Sequence, residues 1–267
     1  ASRRAEVIRV SDPHKARVQA QFGGSAEGYV QSPGHAAGAD LDTLVAWGRK
    51  RGARAVLDIA TGGGHTAAAF AAFTPLVVST DLTEAMVRAA RGLAASRGLG
   101  GVRFAIADAD ALPFKEASFG VVTCRIAAHH FPALLPPLRQ IARVLEPGGS
   151  FLVQDILGHE DEDAAAFILE IEKRRDPSHV RSIPRREWEA FLRAAGLTII
   201  DEAVLPKVRP WEEWTTRTRM TPAAKAELER VVLAAPARCR EAFSFVIEGS
   251  RVVSFTDRML LLRADRD

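Results

Sequence analysis

Cysteine is nearly absent from this 267-residue chain, which carries only Cys124 and Cys239. Two cysteines cannot build a disulfide framework or a cysteine-rich zinc site, so a reducing, cytoplasmic setting is expected. No His-x-x-x-His or paired-cysteine spacing occurs, and no metal is expected. Apolar runs stop short of the about 20 residues that span a bilayer, and Ala1–Val10 is charged where a signal peptide would be apolar. The sequence therefore predicts no membrane partner. An excess of one charge sign is also missing, with 36 Lys+Arg against 33 Asp+Glu and a net charge of +3. A nucleic-acid surface needs clustered cations, so no nucleic-acid partner is expected. What remains, 47% hydrophobic and 26% charged residues, is the composition of an ordinary globular protein.

Apolar periodicity divides the chain into alternating elements. A polar arm reaches to about residue 37, with a short helix near Val18–Tyr29. A helix over 38–51 follows, with Asp40 as its expected cap and Gly52 as its stop. Strands are predicted at 54–60, 76–80, 102–107, 119–125 and 150–156, with helices at 65–73, 83–97 and 132–145 between them. This rhythm of buried-type strands and short connections predicts an α/β fold, a doubly wound, mostly parallel sheet with helices on both faces. Helices at 161–175 and 185–195, a strand at 197–204, a broken helical stretch at 211–243 and a closing strand at 258–263 complete the reading. Residues 1–37 are expected to form an arm or lid and 38–157 a ligand-binding core. Residues 158–267 complete the sheet and cap it through insertions at 158–184 and 206–257.

The strongest local signal is Val56-Leu57-Asp58-Ile59-Ala60-Thr61-Gly62-Gly63-Gly64-His65, a strand running into three glycines and then a helix. Such a turn lets a ligand approach the backbone at the carboxyl end of the sheet. Asp81 ends the next strand, 19 positions after Gly62, where folds of this kind hold ribose hydroxyls. Two ligand classes fit. Gly62-Gly63-Gly64-His65-Thr66-Ala67 satisfies the dinucleotide pattern G-x-G-x-x-A, which makes a nicotinamide-dependent oxidoreductase the competing reading. Against it stands Asp58, because a carboxylate beneath the turn repels a pyrophosphate and suits a cationic amino acid tail. The turn also follows a helical arm and does not open the fold.

These residues resemble the first motif of class I methyltransferases. Further resemblances follow in order: Asp108-Ala109-Asp110-Ala111-Leu112-Pro113-Phe114, Ser118-Phe119-Gly120-Val121-Val122 and Arg143-Val144-Leu145-Glu146-Pro147-Gly148-Gly149. They span Leu41 to Asp155, with one departure at Gly120, where the family usually has Asp. Phe22, Ala26 and Tyr29, together with Ala127-Ala128-His129-His130-Phe131 and Asp176-Pro177-Ser178-His179-Val180-Arg181, are similar to the small-molecule, quinone-methyltransferase-like branch (methyltransferase domain type 11). The resemblance implies a seven-stranded Rossmann-like sheet with a helical cap, and S-adenosylmethionine as cofactor, released as S-adenosylhomocysteine. It also implies roles. Asp58, Ala60, Gly62 and Gly64 would face the methionine part, and Asp81 the ribose. Leu82 and Met86 would pack near the adenine, and Asp108 with Ala109 would meet its amino group. Cys124 and Arg125 would line the methionine side, and Tyr29 would close from the arm.

Methyl transfer from a sulfonium needs a base only if the acceptor must lose a proton. His129 and His130 follow the fourth strand, where an acceptor would meet the methyl group, and Asp155 ends the fifth strand and can orient one of them. The alternative for His130 is packing without proton transfer. His179 and Arg181 are either contacts for an anionic substrate or parts of a salt-bridged lid. Trp188, Trp211 and Trp214 are either pocket walls or core. The sequence thus predicts a methyltransferase acting on oxygen or carbon of a small-molecule acceptor, as a monomer or homodimer. A cofactor-binding module without turnover is the further alternative.

Overall fold

The computed structural model describes residues 12–267, so the part of the arm before Asp12 lies outside the described residues. The arm is three short helices, α1 (Pro13–Gly23), α2 (Ala26–Val30) and α3 (Pro33–Ala36), where the sequence reading has one. Asp12 caps α1 by accepting from the His14 and Lys15 N–H groups, Pro13 fills its first turn, and Gly24-Ser25 separates it from α2. The core opens with α4 (Ala39–Arg51), β1 (Ala55–Ile59), α5 (His65–Ala71), β2 (Leu76–Asp81), α6 (Glu84–Ser96), β3 (Val102–Ile106) and β4 (Phe119–Arg125). A single 3-10 turn (Ala128–His130), α7 (Leu135–Val144) and β5 (Leu145–Ile156) follow. The rest is α8 (Glu162–Arg175), α9 (Arg185–Ala194), β6 (Leu197–Pro210), α10 (Trp211–Arg217), α11 (Pro222–Ala234), α12 (Ala237–Ala242), β7 (Val246–Glu248) and β8 (Arg251–Arg266).

Seven strands lie side by side in the order β3-β2-β1-β4-β5-β8-β6, and the three-residue β7 adds an eighth beside β8. The first five are parallel; β8 runs antiparallel between β5 and β6. The order reverses between β1 and β4, so the carboxyl ends of β1, β2 and β4 surround one crevice, where ligands of open α/β sheets sit. Apolar side chains fill both faces: Leu57, Val122, Phe151, Leu262 and Trp188 on one, Val56, Val121, Leu152, Phe70 and Leu261 on the other. A third cluster, with Phe167, Ile171, Trp211, Trp214 and Phe255, welds α8, α10, α11 and α12 onto β8. The three tryptophans of the second half are therefore core, buried at 1–4% exposure.

Two local departures have physical reasons. At Gly120 the β4–β5 pairing shifts register, and a Cβ there would stand 3.0 Å from Ala53 Cβ and 3.4 Å from Glu146 Oε2. A carboxylate at this position would crowd another carboxylate, which accounts for glycine where the family usually has Asp. Asp40 is not the cap of α4, a place taken by Gly38. Its buried carboxylate accepts from Arg125 Nη2 (3.0 Å), Lys207 Nζ (3.1 Å) and Gln154 Nε2 (2.7 Å). Burial alone would raise its pKa, but the charges of Arg125 and Lys207 hold it at about 2.

Candidate active site

The glycine turn is held from beneath. Asp58 is 1% exposed, and its carboxylate accepts from Thr61 Oγ1 (2.5 Å) and Thr123 Oγ1 (2.6 Å). Burial pushes its pKa up to about 6 against the help of those hydroxyls. Ala60 at φ 52°, Gly62 at φ 54° and Gly64 at φ 86° bring the chain round into α5. A Cβ on Gly62 would meet no atom within 4 Å, so this glycine borders open space. Gly64 serves packing: a Cβ there would stand 2.9 Å from Ala90 Cα on α6. Ile126, at the end of β4, shares the positive φ of Ala60 (56°), and both residues line one cleft. Backbone strain of this kind persists where surrounding structure over-determines it, often at ligand sites.

Asp81 forms the next wall. Its Oδ2 accepts from the Gly62 N–H (3.0 Å) and its Oδ1 from the Thr83 N–H (2.9 Å), tying strand β2 to the turn. Burial raises its pKa to about 6. A carboxylate offers about four lone-pair sites, so two remain for a ligand's hydroxyls. Beyond it the wall turns apolar with Leu82 and Met86, then acidic with Asp108 and Asp110. Lys15 of the arm reaches both acids, with its Nζ 2.7 Å from Asp108 Oδ2. Gln19 Nε2 donates to the Leu82 carbonyl (3.0 Å). Helix α1 thus roofs the cleft.

The opposite wall carries Arg125, His35, Tyr29, Phe22 and His130. Arg125 is oriented by Gln154 Oε1 (2.6 Å), the His35 carbonyl (3.0 Å) and Asp40. Phe22 packs edge-on against Tyr29 (centroids 5.4 Å apart) and against His130 (5.0 Å), and Tyr29 against His35 (5.2 Å). His65 borders the cleft but is largely buried, and its Nε2 lies 3.0 Å from the Val30 carbonyl, pinning the arm.

The two adjacent histidines diverge. His129 is buried with its Nδ1 2.5 Å from Asp155 Oδ1, and its N–H donates to Asp155 Oδ2 (3.0 Å). Burial opposes its charge, but Asp155 outweighs burial and raises its pKa. His130 alone lines the cleft. Burial and the neighbouring His129 charge depress its pKa to about 3, so it is neutral at physiological pH.

Ten residues singled out from sequence therefore meet at one cleft: Tyr29, Ala60, Gly62, Asp81, Leu82, Met86, Asp108, Ala109, Arg125 and His130. Seven do not line it. Asp58 and Gly64 shape the turn from behind. Cys124 is sealed in the sheet core at 1% exposure, because it points to the opposite side of β4 from Arg125. His129 and Asp155 pair beneath the 3-10 turn. His179, stacked on His129 with centroids 4.9 Å apart, and Arg181, paired through both terminal nitrogens to Glu187, border a separate depression under α8. Sequence reasoning missed Lys15, Gln19 and a ligand-side place for His35. Each comes from a segment without a motif, and only the fold brings it to the cleft. Among the described residues no group of three or more His, Cys, Asp or Glu stands together as a metal site, and no helix is long and apolar enough to cross a membrane.

Comparison with known proteins agrees with this geometry. The methyltransferase-domain family matches residues 57–153, from the first strand to the fifth. "Uncharacterized methyltransferase YcgJ" of Bacillus subtilis (strain 168) is 38% identical over 180 residues, covering 67% of this chain and 71% of that protein. The ubiquinone/menaquinone biosynthesis C-methyltransferase UbiE of Idiomarina loihiensis is 36% identical over 115 residues, 42% of this chain and 45% of its own. A methyltransferase structure from Bacillus halodurans C-125 superposes with TM-score 0.83 at 36% identity, covering 86% of this chain and 99% of that one. The solved Bacillus subtilis YcgJ gives 0.79 at 31% identity, with 85% and 97% coverage. With the glycine turn, the acid that ends β2 and the sheet order in place, the chain belongs to the class I S-adenosylmethionine-dependent methyltransferases.

Proposed function

We infer that the cleft binds S-adenosylmethionine and that the enzyme methylates an oxygen or carbon of a small molecule. The donor set fits this cofactor. Asp81 has lone pairs left for the ribose hydroxyls, Leu82 and Met86 offer an apolar bed for the adenine, and Asp108 with the Ala109 backbone stands where its amino group would lie. Thr61, Gly62 and Arg125 flank the end left for the amino acid tail. Asp58 contacts no ligand in this reading, yet its charge beneath the turn still disfavours a pyrophosphate. Bound there, the cofactor supplies a methyl group on a sulfonium sulfur that leaves as a neutral thioether, while a protic acceptor gives up one proton.

The observation that carries the small-molecule reading is the roof. Helix α1 spans the mouth through Lys15 and Gln19 on one side and through His14, whose Nε2 lies 2.9 Å from the His130 carbonyl, on the other. The space beneath is walled by Phe22, Tyr29, His35, His130 and Phe131, a lining suited to a flat, partly apolar acceptor. The named activity of the UbiE relatives, C-methylation in quinone biosynthesis, supports an aromatic ring, although the similarity to the Idiomarina loihiensis protein covers only 42% of this chain. In this reading His130, which lines the cleft, takes up the acceptor's proton.

Turnover with a panel of phenols and quinols, read by mass spectrometry, tests the reading. His130→Gln is expected to slow methyl transfer by about 10²-fold or more while the S-adenosylmethionine Kd stays within about twofold. Equal losses in turnover and cofactor affinity would leave His130 a packing residue.

A further inference from the structure

Asp176 and Ser178 belong to a segment that the cleft does not use, yet they are 1% and 0% exposed. The segment is strapped to the histidine turn, with the Val180 N–H donating to the His129 carbonyl (2.8 Å). Ser178 donates to Asp176 Oδ1 twice, from its N–H (2.9 Å) and from its hydroxyl (2.5 Å). His130 Nδ1 stands 3.0 Å from the Ser178 carbonyl oxygen and 3.2 Å from its Oγ. A carbonyl has no hydrogen to give, and the hydroxyl hydrogen is already directed at Asp176. Both oxygens therefore accept, and Nδ1 carries the hydrogen. The lone pair of the neutral ring then sits on Nε2. That atom makes no hydrogen bond among the described residues, and the partly exposed His130 side chain lines the cleft.

The geometry points to Asp176 and Ser178 as a positioning pair that locks His130 in the Nδ1–H tautomer and so presents Nε2 as the atom that takes the acceptor's proton. The inference rests on the methyltransferase reading of the cleft and deepens it. Without Asp176, the Ser178 hydroxyl is free to turn and donate to Nδ1. The carbonyl would still favour Nδ1–H, but the hydroxyl would now compete with it, and part of the population would carry the ring hydrogen on Nε2 as an imidazole that can only donate toward an acceptor. The pair also places a carboxylate one hydroxyl away from the charge that His130 gains on taking a proton. The other groups around the ring are His129 (centroids 4.1 Å apart), Phe22, His179 at 6.2 Å and, through the backbone carbonyl, His14. None of them hydrogen-bonds a ring nitrogen of His130.

The tautomer is read directly by ¹⁵N NMR of the histidine rings in the full chain, with His130 assigned by loss of its signals in His130→Gln. The expected wild-type spectrum has His130 protonated on Nδ1 and bare on Nε2. Asp176→Ala is expected to move that hydrogen toward Nε2 and to lower turnover about tenfold, with cofactor Kd unchanged. Adding Ser178→Ala removes the competing hydroxyl and is expected to restore much of both, a rescue that a merely structural role would not give. A wild-type ring protonated on Nε2, or an unchanged tautomer in folded Asp176→Ala, overturns the inference; the wild-type measurement decides even if that variant fails to fold. An Nδ1–H ring that responds to Asp176→Ala in a protein without methyl transfer would support the lock and sink the proposed function instead.

Discussion

Asp81 shows how one buried carboxylate joins stability to binding. Its folded pKa, about 6, lies above the ordinary carboxylate value because burial penalises the charge. The unfolded chain therefore loses this proton earlier as pH rises, and between about 4 and 6 the free protein loses stability through this group. A ligand with hydroxyl donors has the opposite preference, because it needs the ionised form. Affinity for S-adenosylmethionine is thus expected to fall about tenfold from pH 7 to pH 5, following the ionised fraction of a group with this pKa. Calorimetry across that range checks the slope, and Asp81→Asn should weaken binding and flatten it. A flat wild-type profile would remove Asp81 from the ribose. Asp58 also titrates near 6, but both its oxygens face threonines, so its protonation should appear in the unfolding curve and not in the binding slope.

At the scale of elements, two glycines of the turn, Gly62 and Gly64, have separate duties, and substitution distinguishes them. Gly64→Ala drives a methyl into Ala90 on α6 at a positive φ, so it is expected to cost about 1–3 kcal/mol of stability by urea unfolding. Gly62→Ala meets no neighbour and places its methyl at open space beside Asp81. It should weaken cofactor binding more than it destabilises the fold. The reverse ranking would misplace the ligand. Most elements were legible because parallel strands buried on both faces read as apolar runs, and because Gly52 and Gly98 mark helix ends with positive φ. The far half of β6 was not. Pro206 and Pro210 argue against a strand interior, but β6 is the sheet's edge, where a missing N–H costs no ladder bond. With β6 hidden, the matching first half of β8 and the short β7 were hidden too.

Across the whole molecule, the legible part of the site is the part written as a local motif. The turn from Asp58 to Gly64 and the strand-end acids Asp81 and Asp108 follow one another within the alternating core. The roof and the far wall are assembled from distant segments: Lys15 meets Asp108, and Arg125 meets Asp40, which Lys207 also joins. Nothing in the spacing of these lone charges announces their contacts. The two adjacent histidines illustrate the same limit. Their position after β4 put them near the expected acceptor site, but only the packing of Asp155 beneath the turn and of Ser178 beside it separates the buried partner from the one in the cleft. The measurement that tests the account most directly is a calorimetric titration of the full chain with S-adenosylmethionine and, separately, with reduced nicotinamide dinucleotides. The account predicts one S-adenosylmethionine bound per chain, a signal lost in Asp81→Ala, and no dinucleotide binding. A dinucleotide that binds while S-adenosylmethionine does not would contradict it.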